Sequence, residues 1–298
     1  MKLRIILLVI ILISLTLFFG YNEFTPKNEA LPLLELSTNF KDYWFEGKAE
    51  ITSYKLEQFR YGEQRSGTAV LIFVTEDFLL DAQVKANEKN DNNIPVLKLN
   101  AVKNFNTGIY PYSIMQSTFY PLLINSHAIK VSASIQEWCG NIYTQLNNRE
   151  NFEIISNSYF EGEADQKMNL DKTWLENEVW TQLRINPDNL PTGEVKIIPS
   201  LEYLKLAHIE VKAYQASAEF YQDDSLGVYK ISYPELQRNL KIFYETSFPF
   251  NFEKWEETTE NNGESFTSTA TKMKTIKSDY WDKNSNKDLP LREKLNLN

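Results

Sequence analysis

The chain has 298 residues, 42% of them hydrophobic and 13% aromatic, with 31 basic against 40 acidic side chains and one cysteine. Setting aside Lys2 and Arg4 leaves 29 basic residues against the 40 acidic ones, a balance of about −11 that argues against nucleic acid and against an electrostatic hold on an anionic membrane. A lone Cys139 excludes an internal disulfide and a thiolate metal cluster, so the fold must hold by burial, for which the length is ample.

In chain order, Lys2 and Arg4 lead into an apolar run over residues 5–19, interrupted only by Ser14 and Thr16. Cations before an apolar stretch are the pattern of an export segment. Phe18 is too bulky for the position three before a peptidase cut, and no cysteine follows that could carry a lipid. Residues 1–22 are therefore read as a signal peptide or an uncleaved membrane anchor, a short transmembrane helix with its cations inside. The expected partner is the inner membrane, and the body is expected in the cell envelope, anchored facing the periplasm or released there. Residues 23–42, with Pro26 and Pro32 and no sustained period, read as a tether.

Residues 43–298 read as a single large antiparallel β domain. Long β-type runs cover 48–60, 67–75, 95–102, 109–120 and 129–145. In the last of these, Ile129, Val131, Ala133 and Ile135 alternate with polar residues, as in a strand with one wet face. Residues 69–74 are continuously apolar and predict a strand covered on both faces. A helix is predicted near 174–184: Thr173 and Glu176 have capping-box spacing, Leu175, Val179 and Leu183 form an apolar stripe flanked by Trp174 and Trp180, and Pro187 ends the segment. Further β patterns follow over 193–203, 207–221, 228–233, 240–248 and 264–274, and a short final helix is expected from Asp288 with Pro290 in its first turn. The fold class is thus mainly β with minor α, a curved sheet or half barrel wrapped around one central helix.

Several constellations carry possible chemistry. Cys139 with His127 or His208 is the arithmetic minimum for a thiol nucleophile and base, against the plainer reading of a small buried strand residue beside Gly140, itself a mark of a bulge or close backbone approach. Glu161, Glu163 and Asp165 place three carboxylates in five positions, suited to acid–base work or to a solvated turn. Asp282, Asn284, Asn286, Asp288 and Glu293 fall at calcium-loop spacing, but Lys287 stands where that loop needs glycine, and no metal is assigned. Tyr110, Tyr112, Trp174 and Trp180 are candidates to line a ligand pocket. No cofactor is called for.

The runs Tyr43-Trp44, residues 48–63 and 71–78, Thr107-Gly108-Ile109-Tyr110-Pro111-Tyr112-Ser113-Ile114-Met115 and Gln136-Glu137-Trp138-Cys139-Gly140 resemble a group of exported flavobacterial proteins. Members of that group often carry the label septum formation inhibitor Maf. The Ser-x-Ser-Pro-Arg-Arg motif of Maf pyrophosphatases is absent from this chain, so the label is read as inherited. Together these features lead to the expectation of a non-enzymatic envelope protein that binds an apolar ligand such as a lipid, or a protein partner, in the concavity of its sheet. The alternatives are an envelope hydrolase using Cys139 or the Glu161, Glu163 and Asp165 group, and a structural assembly protein.

Overall fold

A computed structural model describes residues 32–124 and 126–297. The apolar segment and residues 23–31 of the tether lie outside the described residues. The described residues from Leu34 onward form one compact unit. Among the described residues, no helix is long and apolar enough to cross a membrane.

The first element is a helix, α1, Thr38–Trp44, capped by Ser37, whose hydroxyl accepts the Phe40 N–H. This corrects the reading of residues up to 42 as tether: Phe40 and Trp44 fall four apart on one helical face, and both are buried in the main core. Five strands follow as a meander, β1 Ala49–Arg60, β2 Glu63–Leu79 with the short β3 Val84–Lys85 on its end, β4 Asn93–Thr107 and β5 Tyr110–Pro121. The Tyr61-Gly62 turn joining β1 to β2 has positive φ at both positions, 54° and 78°, the two-residue hairpin geometry that glycine makes accessible.

The meander continues through β6 Lys130–Glu137, β7 Gly140–Asn148, β8 Phe152–Asn157 and β9 Gln166–Leu170. The single run expected over 129–145 is in fact two strands, with Trp138 and Cys139 as their turn. Cys139 is therefore exposed rather than buried. The close approach at Gly140 is real, since a Cβ there would meet the Tyr159 ring at 2.5 Å. After the two-residue β10, Trp174–Leu175, comes the central helix α2, Glu176–Ile185, then β11 Gly193–Ile198 and a helix α3, Leu201–Leu206. The meander resumes as β12 Tyr214–Asp223, β13 Leu226–Tyr233, β14 Arg238–Glu245, β15 Phe252–Asn261 and β16 Glu264–Ser278, and a short α4, Pro290–Lys294, closes the chain.

Among the described residues all 16 strands form one sheet, 15 of them ordered from β10 through β16 to β1, β2, β4 and on to β9, with β3 paired on β2 outside that path. This is a large curved sheet, an open barrel in which spatial order follows chain order. Every pair is antiparallel except β10 with β11, whose connection carries the central helix α2. The ends of the sheet, β9 and β10, are joined by residues 171–173 alone, so one end of each lies within about 14 Å of the other by chain reach.

Even-numbered residues of β1 face the concave side and odd-numbered ones the convex side. The first set brings Tyr54 and Leu56 into the main core with Ala69, Leu71 and Phe73 of β2. The second puts Ala49 and Ile51 with Val74, Leu295 and Leu297 in a convex cluster where Val70 and Ile72 also pack. Residues 69–74 are thus covered on both faces as expected. The segment after α4, rather than α2, covers the outer one.

The start of α2 also differs from the spacing. Thr173 donates to Lys196 O instead of capping, and Glu178 accepts the Leu175 N–H at 3.1 Å. Pairing of Trp174 and Leu175 with β11 holds them extended and moves the helix start onward. The stripe of Leu175, Val179 and Leu183 is fully buried in the core, as the periodicity requires. Residues 201–203, expected as the end of a strand, instead open the helix Leu201–Leu206, because the Ser200 hydroxyl caps Tyr203 N–H and Leu201 and Leu204 turn together onto the sheet.

Candidate functional site

Helix α2 brings three buried charged side chains into the concavity, and each meets a built partner. Arg184, near its C-terminal end, donates bidentately to Glu50 of β1 at 2.6 and 2.7 Å and to Pro249 O at 2.7 Å. Tyr43 of α1 donates to the same carboxylate. The guanidinium lies 5.0 Å from the Trp44 ring and 4.8 Å from the Phe73 ring. Burial alone would raise the Glu50 pKa, but the Arg184 charge and its hydrogen bonds hold it below the usual carboxylate range. This end of the concavity is sealed by aromatic rings and α1.

At the N-terminal end, Glu176 accepts both Nη groups of Arg238 from β14, at 2.5 and 2.8 Å, and the Tyr233 hydroxyl at 2.8 Å. Arg238 Nε donates to Glu257 of β15 at 2.7 Å. Burial pushes the Glu257 carboxyl up, and Arg238 and Lys103 outweigh it to hold the carboxyl below its ordinary value. Lys103 in turn donates to Glu202 of α3 at 2.7 Å, as does Gln116. The third charged group, Glu178, accepts the Ala128 N–H at 2.7 Å and contacts His127 Nδ1 at 2.8 Å.

Between α2 and the sheet remains an internal cavity of about 40 Å³, bordered by Leu71, Leu99, Trp180, Arg238 and Trp255. A space of that size holds a few ordered waters at most and is too small for an acyl chain. The concavity is otherwise a packed core. Trp180, expected as a pocket wall, is wedged edge-on against Phe252 and Trp255 at 5.5 and 5.3 Å.

The cavity shares Ser200, Glu202 and Glu257 with a larger cleft of about 240 Å³ that opens outward between α3 and the ends of β1, β15 and β16. Period two carries the concave face of β1 past Tyr54 and Leu56 to Gln58 and Arg60, which line this cleft. Gln58 is 8% exposed; its Nε2 donates to Ser268 Oγ at 3.0 Å, but its Oε1 has no hydrogen-bond partner among the described residues. Arg60 donates from Nη1 to Leu206 O at 2.8 Å, while its buried Nε is also without a partner among them. The Arg60 guanidinium stacks 4.4 Å from the centre of the Tyr61 ring, which is 60% exposed, and the Tyr61 and Tyr112 hydroxyls hydrogen-bond at 2.8 Å.

The residues singled out from sequence are dispersed. Cys139 sits in an exposed hairpin turn, where a hydrogen bond with Glu137 pushes its thiol pKa up, away from thiolate chemistry. His127 is engaged by Glu178 beside α2. His208, in the turn after α3, contacts Glu163 at 2.6 Å. Glu163 also pairs with Lys205, whereas Glu161 and Asp165 are exposed around the same short turn.

Tyr112 is buried and stacked on Phe105 at 5.0 Å, with Tyr110 6.0 Å from it. Trp174 packs edge-on to His127 at 5.8 Å. In the C-terminal segment, Asp288 accepts the Ser285 N–H and Asp282 ends a short 3-10 turn. Asp282, Asn284, Asn286 and Glu293 are exposed, and no cluster of three acid, imidazole or thiol groups suited to a metal occurs among the described residues. Sequence reading missed Gln58, Arg60, Glu176, Arg238 and Glu257. The available signal was the continuation of the β1 inward face from apolar Leu56 into polar Gln58 and Arg60.

No family model matches the chain, and no curated relative matches it. Among solved structures, the chain is similar to a crystal structure described as a β-barrel-like protein of a domain of unknown function, DUF1849, from Brucella abortus. The TM-score is 0.46 and the identity 8%, over 77% of this chain and 98% of that one.

Proposed function

We propose that the protein is a non-enzymatic binding protein of the cell envelope that takes its ligand at the open end of the concavity, between α3 and the ends of β1, β15 and β16. The observation that carries this reading is the orphaned, buried carbonyl of Gln58 on the wall of an accessible cleft, since a buried acceptor without a partner costs about 1–3 kcal/mol that a ligand donor would recover. The carboxylates at the centre of the fold are held by guanidinium groups, and the thiol and the two imidazoles lie in separate places, which favours binding over hydrolysis. The filled interior moves the expected ligand from the depth of the sheet to its mouth. The N-terminal cations and apolar run support the envelope location.

Native mass spectrometry of the full chain, purified from its own envelope, tests the proposal. The expected result is a bound small molecule that is lost in Tyr61→Asn, a change that removes the exposed ring and leaves a residue tolerant of positive φ. A bare protein, or a turnover that disappears in Cys139→Ser, would replace this reading with one of the others.

A further inference from the structure

The chemistry of the cleft narrows the class of ligand, on the reading that the cleft is a binding site. Its charges are balanced internally: Glu202 is met by Lys103 at 2.7 Å and Glu257 by Arg238 at 2.7 Å, so neither carboxylate calls for a cationic ligand. Among the residues lining the cleft the one cation is Arg60, its Nη1 already committed to Leu206 O and its plane lying over Tyr61, which leaves a single free donor edge at Nε rather than a fork for a carboxylate or phosphate. An apolar ligand fits no better. It would leave the already buried Gln58 carbonyl and Arg60 Nε without partners, forgoing the hydrogen bonds that a polar ligand could supply.

What remains wanting is one donor for Gln58 Oε1 and one acceptor for Arg60 Nε, close together on one strand face, beside the hydroxyls of Thr259 and Ser268 and an exposed aromatic ring. A vicinal pair of hydroxyls supplies both roles, because each hydroxyl donates once and accepts twice, and the C–H face of a pyranose packs on an aromatic ring. The volume of about 240 Å³ lies just below the usual range for drug-sized ligands and suits one or two sugar rings. We infer that the cleft between α3 and the ends of β1, β15 and β16 is a saccharide-binding site, with Gln58 and Arg60 reading adjacent hydroxyls and Tyr61 as the stacking platform.

Saturation-transfer NMR and calorimetry on the full chain test this with maltose, cellobiose, mannobiose and chitobiose as probes, and with sodium sulfate, putrescine and laurate as anionic, cationic and apolar comparisons. At least one disaccharide should bind. Gln58→Met, which keeps length and removes the amide, should weaken that binding about tenfold, the value of one hydrogen bond to a buried acceptor. Tyr61→Asn, on an exposed turn, provides a second variant outside the apolar core, and it should weaken the same disaccharide with only a small fall in thermal midpoint from the lost Tyr112 and Arg60 contacts.

Silence of all four disaccharides, or binding unchanged in both variants, overturns the inference. Binding of laurate, sulfate or putrescine alone, abolished by the same substitutions, would also overturn the saccharide class while leaving the cleft as a binding site. Only absence of any ligand on the envelope-purified protein as well would remove the binding reading itself.

Discussion

The two ends of α2 carry the same chemistry in different settings. Arg184 with Glu50 and Arg238 with Glu176 are both bidentate pairs below 3% exposed. The first is wrapped by Trp44, Phe73 and Phe252 and roofed by α1, and every charged partner is matched one to one. The second is a chain: Arg238 is shared by Glu176 and Glu257, and Lys103 links the group to Glu202 at the floor of the cleft. A dry, isolated pair can act only as a staple between helix and sheet. A pair extended into a network that reaches a cleft can position polar groups for a ligand, which is why the site is read at that end and not the other.

The sharpest way to break this comparison is Arg184→Met, which strands a buried Glu50 and should cost about 3–5 kcal/mol by chemical denaturation; adding Glu50→Leu should recover most of that loss, because it removes the uncompensated charge. If the double variant is no better than the single one, the pair is not an isolated staple. At the other end, Glu257→Gln should cost less, about 1–2 kcal/mol, because Glu176 and Tyr233 still hold the network together. A loss as large as that of Arg184→Met would show the two ends to be equally sealed.

A smaller effect is expected from the His127 contact at the start of α2. Burial and Lys172 disfavour the imidazolium, but Glu178 outweighs them and raises the His127 pKa. The folded state therefore holds the proton more tightly than the unfolded one. The stabilisation is complete below the ordinary imidazole value of about 6.5 and fades as pH rises through the raised value. The difference in thermal midpoint between the parent and His127→Gln should be widest in mildly acid buffer and narrow above neutrality; a difference that grows with pH would refute the assigned ion pair. The smallest effect is that of Cys139→Ser, within about 0.5 kcal/mol in urea titration, as for an exposed turn residue away from any network.

Much of the frame was legible beforehand. The alternation over 129–135, the two-sided apolar run over 69–74 and the stripe of Leu175, Val179 and Leu183 each report on which side chains leave water, and each appears in the structure where the period placed it. Boundaries were less legible where tertiary pairing competes with local pattern. Thr173 and Glu176 have capping spacing, yet Thr173 bonds to Lys196 O and Glu176 to Arg238, partners distant in sequence. Trp138 and Cys139 read as strand because nothing in a two-residue turn without glycine at positive φ interrupts the run.

The amino-acid sequence by itself determined the class of fold, the central helix and the buried face of the strand over 129–135, because hydrophobic periodicity is a local record of burial. It could not determine which polar residues meet inside. Glu50 with Arg184, Arg238 with Glu176, and Gln58 beside α3 are separated by more than fifty residues each, and their pairing depends on strand register and on where α2 and α3 come to rest in the concavity. A charged residue on an inward face is costly without its partner and inconspicuous in the sequence with it, so only the tertiary structure decided which charges are staples and which polar groups are left without a partner among the described residues.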